Sequence, residues 1–145
     1  MKFSLKRFLY SSFREVFIHH HSSLEFRAKL IALVISADED YDISELNNVK
    51  QISLEIYPKD IDRAEALRVT VKEYVEKVRL NNGLDIDLLI FDIIKELKAV
   101  PRYAKKIDVD YLENLIEFSH HHDTITYQLR IVEMLGRLKE EYEHD

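Results

Sequence analysis

The feature that most constrains this chain is the recurrence of apolar residues at three- and four-residue steps over nearly its whole length. That spacing places apolar side chains on one face of an α-helix, whereas a half-buried strand needs strict alternation, which no useful stretch shows. The pattern is interrupted at Pro58, Gly83 and Pro101, residues that typically end helices or follow their ends. The sequence therefore predicts an all-α fold without a sheet.

The pattern and its interruptions divide the chain into seven helical segments. Their predicted ranges are 3–19, 24–36, 43–56, 62–80, 85–99, 109–121 and 124–142. The second segment is apolar almost all round, which predicts a central position. A length of 145 residues is typical of a single domain. We therefore expect one compact bundle of six or seven helices, with an N-terminal helix in residues 1–22 and a core in residues 23–145.

The amino-acid composition excludes several classes of enzyme. The two glycines, Gly83 and Gly136, are too far apart to form the glycine-rich loops of nucleotide-binding enzymes or protein kinases, or the nucleophile elbow of α/β-hydrolases. The chain has no cysteine, which excludes thiolate metal sites, cysteine nucleophiles and disulfides. No other catalytic arrangement is evident, so we expect a protein that is not an enzyme.

Charge and hydropathy bear on partners and location. The 21 basic and 27 acidic residues give a net charge of −6, which opposes general binding of nucleic acid. The most apolar run, residues 30–35, is much shorter than the roughly 20 residues that a membrane-spanning helix needs. A cysteine-free chain with these properties is expected in the cytoplasm.

Two helix–loop–helix units have similar sequences. In residues 41–46 and 107–112 an aspartate, Asp42 or Asp108, is preceded by an apolar residue and followed four positions later by leucine. This pattern predicts that each aspartate is the N-cap of a helix, with an apolar contact across the cap. The fold is therefore expected to contain two related halves, with an acidic loop in the first and a basic loop in the second.

The first of these loops resembles a known family. Ala37 and Asp38 end an apolar helix, and after a short acidic loop Ile43 and Ser44 begin an amphipathic one, as in the TerB-like family named for tellurite resistance proteins. This chain has Glu39 where the family pattern has glycine. Over residues 24–138 the resemblance implies an all-helical fold of two related halves, a divalent metal bound by inter-helix acidic residues, and a role in a stress or metal-ion response.

The acidic loop is the first candidate site. Asp38, Asp40, Asp42 and Glu45 supply hard oxygen ligands that suit a weakly bound calcium or magnesium ion. The loop lacks the glycine and the final glutamate of an EF-hand, so we expect a dissociation constant of about 10⁻⁴ to 10⁻³ M. Two alternatives are that Asp42 and Glu45 form a capping box, and that the loop docks a protein partner.

A second candidate site lies around the histidines at positions 120–122. Glu117, His120 and His121 could ligate a transition metal, since Glu-x-x-His is the spacing of di-iron bundles. Those bundles need a second copy from another helix, and the N-terminal histidine triplet does not supply it because Ile18 stands three residues after Glu15. The alternative is that this triplet and the one at positions 19–21 favour helix C-termini, where a charged imidazole is stabilised.

Two basic segments complete the candidates. Arg102, Lys105 and Lys106 could dock an acidic partner or a nucleic-acid phosphate, or could pair with the chain's own acidic loop. The N-terminal segment combines basic and apolar residues and could bind a membrane surface, although packing in the domain is favoured; these residues are Lys2, Phe3, Leu5, Lys6, Arg7, Phe8, Leu9, Phe13 and Arg14.

The predicted function is a TerB-like module that binds a divalent cation or an unknown protein partner through residues 38–45. The alternatives are a peripheral membrane adaptor and a metal-free helical interaction domain.

Overall fold

The computed structural model describes residues 22–38, 43–116 and 122–143, and these ranges form an all-α fold. They contain six α-helices and one 3₁₀ helix, and no strand. The α-helices are α1 Ser22–Ser36, α2 Ile43–Ile56, α3 Ile61–Arg79, α4 Ile86–Ala99, α5 Val109–Ile116 and α6 His122–Glu143. The 3₁₀ helix, Pro101–Lys106, connects α4 to α5. The predicted fold class is confirmed.

Most predicted helix bounds agree with the structure to within two residues. The predicted first helix, 3–19, lies outside the described residues, as do residues 117–121 at the predicted end of the sixth. The prediction of a basic loop after Pro101 is wrong, because these residues form the 3₁₀ helix. Proline ends α4, but its fixed φ also suits the first turn of a new helix.

Helix α1 lies at the centre of the bundle, as its apolar sequence predicted. Every residue from Leu30 to Asp38 is buried. The helix contacts α3, α4, α5, α6 and the 3₁₀ helix. Burial of its apolar side chains on several sides makes α1 the element around which the described part of the chain packs.

Aspartate N-caps begin three helices. The side chains of Asp60, Asp85 and Asp108 accept hydrogen bonds from the backbone N–H three residues later, at 3.0, 2.8 and 3.4 Å. Each bond satisfies one of the free donors of a helix N-terminus. The predicted cap at Asp108 is confirmed, and both Ile107 before it and Leu112 after it are buried. The matching prediction for Asp42 lies outside the described residues.

The C-terminus of α3 is closed by Asn81 rather than by the predicted glycine, Gly83. Asn81 has a positive φ of 51°, and its N–H donates to the carbonyl of Val78. The N–H of Asn82 donates to the carbonyl of Lys77, which completes a Schellman motif. Gly83 is also left-handed, at φ 81°, but it lies beyond the capping bonds.

Substitution of Gly136 by alanine is expected to stabilise the protein. A glycine inside a helix can mark a close approach of a neighbouring helix, yet a Cβ at Gly136 would lie 3.7 Å from Val109 Cγ2, which is an ordinary contact. Alanine in a helix interior stabilises the folded state by about 0.5–1 kcal/mol relative to glycine. Urea denaturation of Gly136→Ala should show an increase of that size in the free energy of unfolding.

The matched control is Gly83→Ala, in which the same side chain enters a left-handed backbone. No atom lies within 4 Å of a Cβ at Gly83, so only the backbone conformation opposes the change. The left-handed region costs a non-glycine residue roughly 1–2 kcal/mol. A loss of stability in both variants would show that helix α6 needs the space at Gly136.

Candidate functional site

A pocket of about 180 Å³ opens between α1, α2, the 3₁₀ helix and α5. Its apolar wall consists of Leu30, Ile31, Ile56 and Leu112. Its other lining residues are polar or charged: Arg27, Glu55, Lys105, Lys106, Asp108 and Tyr111. We call this the cationic pocket, because three of its charged residues are basic and two are acidic.

Two cations of the 3₁₀ helix, Lys105 and Lys106, line the pocket, and the helix itself is anchored in the core. Tyr103 and Ala104 are buried, and the Tyr103 ring lies 5.3 Å from the Phe26 ring of α1. Residues three apart are aligned in a 3₁₀ helix. Arg102 and Lys105 therefore share the opposite, exposed face.

Aromatic rings hold three arginines around this region. The guanidinium carbons of Arg27 and Arg63 lie 5.3 and 5.4 Å from the centre of the Tyr57 ring. The guanidinium of Arg102 lies 5.6 Å from the centre of the Tyr103 ring. Cations at these distances are attracted to the ring faces. The rings thus position Arg27 and Arg102 without neutralising their charge, whereas Arg63 is also paired with Asp60 at 3.5 Å.

Burial, together with neighbouring positive charge, lowers the pKa of Lys106. The first cause is burial of the ammonium group, followed by repulsion from Arg27 and from Arg102. Across residues 22–38, 43–116 and 122–143, no ion pair includes Arg27, Arg102, Lys105 or Lys106. The Asp108 carboxylate accepts the N–H of Tyr111 as the cap of α5. An incoming anion would relieve this repulsion.

The predicted metal ligands are mostly outside the described residues. This applies to Asp40, Asp42, Glu117, His120 and His121, and to the side chain of Glu45. Within the described part of the chain, no three histidine, aspartate or glutamate residues are grouped closely enough to hold a metal ion. The two predicted metal sites therefore stay predictions.

Asp38 differs from its predicted role as an exposed loop residue. It is only 3% exposed, and its backbone N–H donates to the carbonyl of Ile35 at 3.0 Å. The reason is that α1 remains buried to its last turn, so the chain has not yet left the core at this position. Substitution of Asp38 by alanine is therefore expected to lower the stability of the protein.

Titration of the protein with calcium or magnesium tests the acidic loop. We expect a dissociation constant of about 10⁻⁴ to 10⁻³ M, because the loop has several carboxylates but no EF-hand geometry. Calorimetry of Asp40→Asn should show loss of the binding heat, and this variant leaves the buried Asp38 intact. Absence of a binding heat from the unaltered protein at millimolar metal would contradict the prediction.

The sequence identified the cations of the 3₁₀ helix but missed the residues that complete the pocket. Arg27 comes from α1 and Glu55 from the end of α2, and both lie far from residue 102 along the chain. One signal was available, since a charged residue such as Arg27 is unusual in an apolar, central helix. Its proximity to Lys106 depends on tertiary packing.

Comparison with known proteins finds no matching family model, no matching curated protein and no matching solved structure. The resemblance to the TerB-like family stays a prediction. Among the described helices, none is both long enough and apolar enough to cross a membrane. The pocket is therefore interpreted from its own residues.

Proposed function

We propose that this protein is a non-enzymatic helical interaction domain that binds an acidic segment of a protein partner in the cationic pocket. The observation that carries the proposal is the grouping of Arg27, Lys105 and Lys106, without ion pairs in the described residues, beside an apolar wall. Such a surface favours a carboxylate next to an apolar side chain.

The size of the pocket favours a peptide side chain over a small-molecule cofactor. Pockets for drug-sized ligands and cofactors have volumes of about 300–1,000 Å³. The cationic pocket measures about 180 Å³. Since a cavity of about 150 Å³ can hold benzene, the pocket has room for one apolar side chain. The surrounding cations would then contact the acidic residues on either side of that anchor.

The acidic residues of the pocket favour a protein partner over nucleic acid. Glu55 and Asp108 lie in the lining, where they would repel a continuous phosphate backbone. The net charge of −6 adds a long-range repulsion. A short peptide can place its carboxylates beside the cations and avoid the two acidic positions.

The test is titration with short synthetic peptides, followed by NMR of methyl groups. The probe is Asp-Glu-Phe-Glu-Asp, blocked at both ends. We expect shifts at the methyl groups of Leu30, Ile31 and Leu112, which line the pocket. The exposed Leu129 of α6 supplies a reference methyl outside it, which should not shift.

Two control peptides separate the parts of the proposal. Lys-Lys-Phe-Lys-Lys keeps the anchor and reverses the charge, and Asp-Glu-Ser-Glu-Asp keeps the charge and removes the anchor. Neither should match the affinity of the probe, because the pocket combines cations with an apolar wall. Equal binding of all three peptides, or shifts of the probe confined to other surfaces, would refute the proposal.

The TerB-like resemblance supports a second proposal, in which the acidic loop binds a divalent cation as part of a stress or metal-ion response. This proposal depends on residues 38–45 and is independent of the cationic pocket. The calorimetric titration above tests the cation binding on which it depends.

A further inference from the structure

A second concave surface lies between α5 and α6, on residues that the cationic pocket does not use. This groove has a volume of about 640 Å³. Its apolar residues are Val109, Leu129 and Val132, with Gly136. Its charged residues are Glu113, Glu133, Arg137, Lys139, Glu140 and Glu143. The groove therefore combines an apolar stripe with four carboxylates and two cations.

Both cations of the groove are already bonded. Arg137 donates to Glu133 at 2.5 Å, and the ammonium of Lys139 donates to the carbonyl of Ile107 at 2.8 Å. In the described ranges, no ion pair includes Glu113, Glu140 or Glu143. The free charge along the groove is therefore negative.

The N-terminal segment has the complementary character. Residues 1–21 contain four basic residues and one acidic residue, so they carry a net charge of +3. Since the whole chain has a net charge of −6, residues 22–145 carry −9. Large apolar residues accompany the basic ones, including Phe3, Leu5, Phe8, Leu9, Phe13, Phe17 and Ile18. The groove has an apolar stripe with acidic edges, and it is therefore complementary to a segment that is both apolar and basic.

The start of α1 lies within reach of the groove. Four residues after Ser22, the ring of Phe26 lies 5.3 Å from that of Tyr103 in the 3₁₀ helix. The next residue after that helix, Ile107, is bonded to Lys139 of the groove. Twenty-one residues span about 30 Å as a helix and about 70 Å when extended, which is at least the diameter of a small domain.

We propose that residues 1–21 bind in cis along the groove between α5 and α6, with their apolar side chains on Leu129 and Val132 and their basic side chains beside Glu140 and Glu143. The groove would then be an intramolecular docking surface for the basic segment. This inference is independent of peptide binding in the cationic pocket.

The experiment is photo-cross-linking of the full chain from one position in the groove. A benzoylphenylalanine replaces Leu129, which is 48% exposed, and the matched control replaces Leu88 on α4, which is 44% exposed. Mass spectrometry should find cross-links from position 129 to peptides within residues 1–21. The position 88 probe should give none to that segment.

Isotope mixing and charge reversal decide between the remaining outcomes. In a mixture of ¹⁴N- and ¹⁵N-labelled protein, the cross-linked peptides should carry one label only. Glu140→Lys with Glu143→Lys should lose most of the cross-link, and adding Lys6→Glu with Arg7→Glu should restore it. Cross-links of mixed label would show that a second copy supplies the segment, and this would overturn the proposal. Absence of the cross-link, or its insensitivity to the charge reversals, would also overturn it.

Discussion

Phe26→Ala is expected to lower the free energy of unfolding by about 3–5 kcal/mol, the range for removal of a buried aromatic side chain. Phe26 is fully buried in α1, and its ring contacts that of Tyr103 at a centroid distance of 5.3 Å. Loss of the ring leaves a cavity at the centre of the bundle and removes the main aromatic contact of the 3₁₀ helix. Because the free energy of unfolding of small domains is about 5–15 kcal/mol, Phe26→Ala would remove a large part of it.

The control for Phe26→Ala is Phe26→Leu, which keeps most of the apolar volume. Urea denaturation should give a cost for leucine of less than half that for alanine, because less of the cavity remains empty. A cost below about 1 kcal/mol for alanine would contradict the central placement of Phe26, since surface substitutions typically have effects of this size or smaller.

Lys105→Glu combined with Lys106→Glu is expected to weaken binding of the acidic probe peptide by about 2–3 kcal/mol, which corresponds to roughly 30- to 150-fold in Kd. The reversal replaces two attractive charges of the cationic pocket with two repulsive ones. Arg27 remains, so binding should be weakened rather than abolished. Isothermal calorimetry at low salt measures the effect.

The matched control is Lys95→Glu with Lys98→Glu, two exposed positions of α4. It changes the net charge by the same amount at a site outside the pocket. If both double variants weaken binding equally, the peptide responds to overall charge and the pocket does not bind it specifically. A far smaller effect of the α4 variant is the expected result.

The fold could be predicted from the sequence because it depends on local signals. The three- and four-residue apolar spacing, together with Pro58 and Pro101, gave the helices that the structure shows. The 3₁₀ helix was missed because Pro101 was interpreted only as the end of α4 and not as the start of another turn. The capping role of Asn81 was missed for a similar reason, since the neighbouring Gly83 is the stronger left-handed signal.

The candidate site could be predicted only in part. Arg102, Lys105 and Lys106 are adjacent in sequence, so their shared charge was visible as a pattern. Arg27 and Glu55 join Lys105 and Lys106 in the pocket only through packing of α1 and α2 against α5 and the 3₁₀ helix. Burial of Asp38 likewise depends on how far α1 extends into the core. Sequence spacing carries no information on such contacts.

The most direct test of the cationic pocket is the pKa of Lys106, measured by NMR of selectively labelled lysine with and without the acidic probe peptide. In the free protein we expect a pKa below the ordinary 10.5, because burial and repulsion from Arg27 and Arg102 disfavour the charged ammonium. Carboxylates of a bound peptide favour that charged form, so the pKa should rise on binding. A Lys106 pKa that does not change when the peptide is bound would contradict binding in the cationic pocket.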